Sequence, residues 1–504
     1  MNSHRIVALL AIAAVRSLSA QAHDHGRSVE QLGKVDFPVS CNAPAQQRFV
    51  RAMALLHSFW WEQGGQAFRD VLDADSSCSM AYWGAAMNAW GNPFAGGPSG
   101  QALADAGQAA AKAAAMGAKT PREAGFVSAV ATLYRDYATV PNVQRLRAYS
   151  DTMARVYRDN PGDTEVSIYY ALSLVATAPA TDTTFARQKA AAAILNPLFV
   201  RFPQHPGLAH YIIHANDSPR LASLGLDAAR RYAQIAPSAP HAQHMPSHIF
   251  IRLGLWEDNI ASNQRSFDAG VAYDRAQGLS GVLYHEFHAL DYMVYGYLQL
   301  GQDSAARRIV AQAESLTSVE GPGALISSYN RLALAARLAV ERDDWRAAAK
   351  LPVLAGTAPA TLGAVTRFAR GIGAARSGDT AQARAEVAAL AESEAGAASG
   401  TQGAYWSRVV GIKRRAVEAW LLLATGDTTR ALALSKEAAE MEDVTEKHPV
   451  TPGELLPARE LYADMLVKVS RNAEARAAYE ETLKREPGRR RSIAGLARTR
   501  TALR

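Results

Sequence analysis

The apolar positions of this chain are spread among many alanines, with no long run of alternating Val, Ile or Thr, a pattern that predicts helices and not strands. One unit recurs. "RNAEARAAYEETLKREPGRR", starting at Arg471, carries Ala475, Tyr479, Thr482 and Pro487 at fixed spacing. The same grammar is a Gly or Asp turn, an aromatic or short polar residue two later, and a small residue three after that. It returns in "WEQGGQAFRDVLDADS", "LGLWEDNIASNQRS", "LGQDSAARRIVAQ", "RDDWRAAAKL", "SGDTAQARAEVAAL" and "TGDTTRALALSKEA". The small positions are Gly64, Asn259, Ala306, Ala348, Ala383 and Ala431, with a looser copy at Gly225. Small residues at such a spacing let two antiparallel helices approach closely, while larger apolar neighbours fill the gap to the next pair.

These units resemble the second helix of the tetratricopeptide repeat. The resemblance implies an all-α fold, a right-handed solenoid of antiparallel helix pairs, with roughly nine or ten pairs from about residue 43 to the end. The copies are specific near the C-terminus and degenerate between residues 100 and 200, where Pro121 and Pro161 mark helix starts or stops. Pro237 and Pro487 should end second helices, and "GNPFAGGPSG", "AGTAPATLG" and "AGAASGTQG" read as loops or insertions. The expected organisation is a signal peptide over 1–22, an arm over 23–42 and N-terminal pairs over 43–200. Central His-rich repeats follow over 201–300, then C-terminal repeats with a capping helix over 301–504. Within this repeat frame Cys41 and Cys78 stand about one repeat apart, just before two successive first helices, so the resemblance implies a disulfide stapling the N-terminal cap, contributing about 2–4 kcal/mol.

Composition changes the picture in one respect. "MNSHRIVALLAIAAVRSLSAQAHDHG" has a positive flank at Arg5, a short apolar stretch and Ala20-Gln21-Ala22 as a small-residue cleavage pattern, which reads as a secretory signal. An exported chain, periplasmic or secreted, with two cysteines is where a disulfide is expected. Without Arg5 and Arg16 the formal charge falls from +7 to about +5, mild for 504 residues. The Arg-rich end (Arg489, Arg490, Arg491, Arg498, Arg500, Arg504) reads as a solvated capping helix, and nucleic-acid binding is not expected. No other segment approaches a membrane span. The strings "HYIIHAND", "APHAQHMPSHIF" and "HEFHALDY" are similar to those of exported bacterial tetratricopeptide proteins, which supports fold and export and implies no reaction.

Eight of the 13 histidines fall between His205 and His288. Aligning three helix pairs on Gly225, Asn259 and Ala306 stacks them into rows: His210, His244 and Asp291; His214, His248 and Tyr295; and His241 with His288. The repeat resemblance implies that the rows lie on first helices and face a concave surface. Pro246 is expected to begin its helix, leaving His241 and His244 in an entry loop. Asp217, one turn beyond His214, can orient a histidine, bind a cation or end the helix.

Three readings of these residues stay open. In the first, the histidines pack an interface with Tyr211, Tyr284, Phe287 and Tyr292. In the second, His210, His214, His244, His248, His288, Asp291 and Tyr295 line a groove for a partner protein, a peptide or a small ligand. In the third, His210, His214, His241, His244, His248, His285 and His288, with Asp217, hold a divalent ion, Zn²⁺ or Cu²⁺, in a metalloprotein or metal-dependent hydrolase. "HYIIH" has zincin spacing but Tyr211 stands where the glutamate should be, and Glu286 in "HEFH" is the remaining candidate base. No phosphate loop, dinucleotide fingerprint or nucleophile elbow is present. A mature terminus His23-Asp24-His25 could bind Cu²⁺ or Ni²⁺ through its amides, or be a plain polar tail.

Overall fold

Every one of the small repeat positions sits inside a helix–helix seam: Gly64, Gly225, Asn259, Ala306, Ala348, Ala383, Ala431 and Ala475 are all buried. At Gly64 the reason is steric, since a Cβ there would stand 2.2 Å from Asn88 Oδ1 of the following helix. The computed structural model describes residues 30–319, 323–353, 359–400 and 402–501. The expected signal segment and the His23-Asp24-His25 terminus lie outside these. Among the described residues all regular structure is helical apart from one isolated bridge between Val282 and Ser318. Each helix packs on the next and, through the first helices of the pairs, on the next but one, as in Tyr284–Gln299, Ala324–Glu341, Ala360–Ser377 and Gly403–Ala424. The chain is therefore an all-α tetratricopeptide-type solenoid, and Gln31–Arg504 forms one body.

Local signals behave as their chemistry demands. Thr120 caps Pro121–Tyr134 by accepting from Glu123 N, Asn142–Asp159 stops ahead of Pro161, and Leu226–Ile235 and Asn472–Arg485 stop ahead of Pro237 and Pro487. The 91–99 loop falls where "GNPFAGGPSG" predicts it. "AGAASGTQG" is different: the Thr380–Ala398 helix runs through its first four residues before the chain breaks. Cys41 and Cys78 form the expected disulfide. Residues 31–42 are stitched to the body, Lys34 N donating to Gln204 O at 2.8 Å and Phe37 fully buried against Phe49, Trp83 and Phe126.

The Arg-rich end departs from the expected solvated helix. Arg489 is fully buried, bound through Nε and Nη2 to Glu460 and through Nη1 to Glu341, and Arg491 joins Glu460 and Asp464. Only such pairing tolerates charge at zero exposure. Arg490 and Arg498 stay exposed.

Residues 444–457 follow the Thr428–Asp443 helix and bond to residues from repeats far apart in sequence. Glu446 N donates to Ala180 O, Tyr405 Oη to Glu446 O, and Tyr292 Oη to Pro449 O at 2.9 Å. Asn330 Nδ2 donates to Val450 O at 3.1 Å. Arg337, itself paired with Asp291, donates to Thr451 Oγ1, Gly453 O and Glu454 O. The side of the first helices that carries Tyr292, Asn330 and Arg337 is thus covered by the chain's own backbone.

Candidate metal centre

His210 and His214 stand one turn apart on Pro206–Asn216, so their rings share a face. His241 and His244 lie in Pro240–His244, not in an entry loop. Met245 keeps helical angles (φ −54°, ψ −35°) and its N–H bonds to His241 O, so the backbone passes into Pro246–Leu253 with only a bend. Pro246 costs nothing at a first-turn position, where its missing N–H has no helical partner anyway. His241, His244 and His248 therefore point from one continuous face. His288 comes from Tyr284–Gln299 in the next tier.

These six imidazoles form two sets of three, His210, His214 and His241, and His244, His248 and His288, each with ring nitrogens within 4.8 Å of one another. The Nε2 atoms converge: His210 to His214 3.1 Å, His210 to His241 3.2 Å, and His244 to His248 3.0 Å. The sets adjoin, with ring centroids of His241 and His244 6.0 Å apart and those of His214 and His248 6.1 Å apart. All six rings are buried.

The opposite ring nitrogens fix the tautomers. His210 Nδ1 is 2.6 Å from the carbonyl oxygen of His57, which can only accept. His244 Nδ1 is 2.6 Å from Asn263 Oδ1, and that amide is oriented because its Nδ2 donates to Asn259 O and Oδ1. His248 Nδ1 donates to Asp217 Oδ2 at 2.9 Å. In each of these three rings Nδ1 carries the hydrogen, so neutral Nε2 presents a lone pair. His244 and His248 therefore aim two lone pairs at each other across 3.0 Å.

The supports are themselves supported. Asp217, at the end of Pro206–Asn216, orients His248 of the following tier and accepts from Arg252 Nε. Burial raises its proton affinity, but Lys447, Arg252 and His248 outweigh this and hold the carboxyl well below its usual range. His57 donates from Nε2 to Glu165, which His205 binds from the other side, and accepts at Nδ1 from Tyr211 Oη. Glu165 is held down as a carboxylate by these two imidazoles against its burial. This third group of His57, Glu165 and His205 has its facing atoms hydrogen-bonded among themselves, and it positions the carbonyl that orients His210. Burial keeps the six converging rings neutral: it lowers His210 to about 3, sets His214, His241, His244 and His288 well below the usual imidazole value, and lowers His248 despite Asp217.

Three expected residues go elsewhere. Asp291 binds Arg337 and Asn330, Tyr295 donates to Glu486 and receives Arg489, and His285 faces Glu62 at 3.8 Å while its ring lies against that of Tyr284. Asp217 lies behind the His248 ring, not among the converging nitrogens. Sequence reasoning passed over Asn263, Phe59, Phe94 and Lys447. It weighed Tyr292 only as interface packing. Phe59 packs edge-on to His210 and stacks on His241, Phe94 lies against His214, and Tyr292 touches His244, His248 and His288. None of these is near the histidine strings in sequence, except Asn263 and Tyr292, whose helical spacing from Asn259 and His288 was the available signal.

No family model and no curated protein matches the chain. Among solved structures, yeast Tom70 aligns over 90% of this chain and 88% of its own, at 9% identity and TM-score 0.35. The P58(IPK) TPR domain aligns over 92% and 98%, at 12% identity and TM-score 0.20. Naa15/Naa10 bound to HypK-THB aligns over 91% and 60%, at 11% identity and TM-score 0.23. At such values the likeness concerns helical repeats and carries nothing about activity.

Proposed function

We propose that this chain is a metalloprotein whose two three-histidine sets each hold one late divalent ion, Cu²⁺ or Zn²⁺. The observation that carries this reading is the pair of facing lone pairs on His244 and His248, 3.0 Å apart with both Nδ1 atoms committed to acceptors. Two lone pairs repel unless a cation lies between them. A proton there would create a buried imidazolium, which desolvation and nearby Lys447 and Arg252 oppose. A metal ion instead gains bonds to three imidazoles. With metal–nitrogen bonds of about 2.0–2.1 Å, separations of 3.0–3.2 Å correspond to N–M–N angles of about 91–106°, within the tetragonal-to-tetrahedral range of these ions. The carbonyl, amide and carboxylate behind His210, His244 and His248 are the outer partners that metal-binding imidazoles require.

A partner protein or peptide would meet residues 444–457 before the histidines, so we assign these residues to a metal and not to a partner. Export from the cytoplasm fits the Cys41–Cys78 disulfide. Among the described residues no helix is long and apolar enough to cross a membrane.

Elemental analysis of untagged protein, after incubation with Cu²⁺ or Zn²⁺ and gel filtration, is expected to give two ions per chain. His210→Ala with His214→Ala should lose one, and His244→Ala with His248→Ala the other. Wild-type protein that retains neither ion overturns the proposal.

A further inference from the structure

Six neutral imidazoles bring no negative charge to two divalent ions. The one carboxylate directly behind them, Asp217, is already shared among His248, Arg252 and Lys447. In a buried site such an excess of positive charge draws an anion into the remaining coordination positions.

Lys447 is placed to receive that anion. Its side chain is 7% exposed, and its Nζ is buried without a hydrogen-bond partner, the nearest carboxylate oxygen, on Asp217, being 3.8 Å away. Its chain neighbours reach both sets: His448 bonds to the carbonyl of Phe94, whose ring lies against His214, and Pro449 O accepts from Tyr292, whose ring touches His244, His248 and His288. Burial depresses its proton affinity to about 8, so it is still mostly charged at neutral pH. The backbone on both sides is pinned, Glu446 N by Ala180 O and Pro449 O by Tyr292 Oη, and the His448 ring is held through Nε2 by Phe94 O. An ammonium with three donors, held rigidly and left unbonded, is costly unless something accepts from it.

Resting on the metal reading above, we propose that Lys447 is the anchoring donor for a small oxygen-donor anion, of hydroxide or carboxylate size, bound at the seam of the two metal sites. The 444–457 segment is then part of the site and not merely its cover. Phe59, Phe94 and Tyr292 pack directly against these imidazoles, which favours a small anion over a peptide carboxylate with its chain.

The test uses full-length copper-loaded protein, with azide as the probe because its binding to Cu²⁺ gives a charge-transfer band, and formate as its competitor. Wild type should bind azide and release it to formate. Lys447→Met should keep both copper ions and bind azide about 10- to 100-fold more weakly, the value of one charge-assisted hydrogen bond. Lys447→Arg should recover most of that loss. Copper-loaded Lys447→Met with azide affinity within about twofold of wild type overturns this inference and leaves the metal reading standing. Lys447→Arg no better than Lys447→Met overturns it equally. Wild type that takes up no copper removes both.

Discussion

Metal-free protein taken from pH 7 to pH 5 is expected to lose most of its resistance to urea. The six converging imidazoles, with His57, hold their proton affinities below the ordinary value because burial penalises the charged ring. The unfolded chain, with ordinary imidazoles, binds more protons below about pH 6.5, so stability is full above that value and falls as pH drops toward the folded-state values. For His210 the window runs from about 6.5 down to about 3. At pH 5 each ring that stays neutral in the fold costs about 2 kcal/mol relative to pH 7. His285 opposes the trend, since burial lowers it but Glu62 and other carboxylates raise it further, and so do Glu286 and Glu442, whose carboxyls burial pushes up to about 7 and about 8. A few net rings suffice to consume the roughly 5–15 kcal/mol of a typical fold. Urea titrations followed by circular dichroism at pH 7, 6 and 5 check this. A midpoint that does not move across that range contradicts the burial of neutral histidines.

Truncating Arg337 to alanine should destabilise the protein by about 3–5 kcal/mol. Its guanidinium and the Asp291 carboxylate are both fully buried, 3.1 Å apart. Its other donors hold Thr451, Gly453 and Glu454, and its face lies over the Tyr295 ring. Removal leaves Asp291 with Asn330 as its remaining side-chain donor and releases one end of the 444–457 segment. Replacing Arg337 by Met and Asp291 by Leu together should cost less, because no lone charge is then buried. Denaturant melts of both variants give the comparison, and limited proteolysis should cut Arg337→Ala first within 444–457. A loss below about 1 kcal/mol for Arg337→Ala contradicts the role given to the buried Arg337–Asp291 pair.

The helix pairs were legible because small residues recur where two backbones must approach, a demand that acts within one repeat. The histidine tiers were legible for the same reason: His210 and His214, and His244 and His248, each lie four residues apart on one face. Counting along the rows also drew in Asp291 and Tyr295, which turn instead to Arg337 and to Glu486 and Arg489. Pro246 suggested a break that the helical Met245 bridges. What holds the tautomers had no local pattern, since His57 reaches His210 across 153 positions and Asp217 reaches His248 across 31. The 444–457 segment reads as an ordinary Pro- and Gly-containing loop, and its role follows only from partners up to 354 positions away.

Anomalous diffraction from crystals of copper-loaded protein, collected at the copper edge, tests the central claim most directly. Two peaks are expected, one among His210, His214 and His241 Nε2 and one among His244, His248 and His288. Copper found only elsewhere in the protein, or no ordered anomalous signal at either set, would contradict the account.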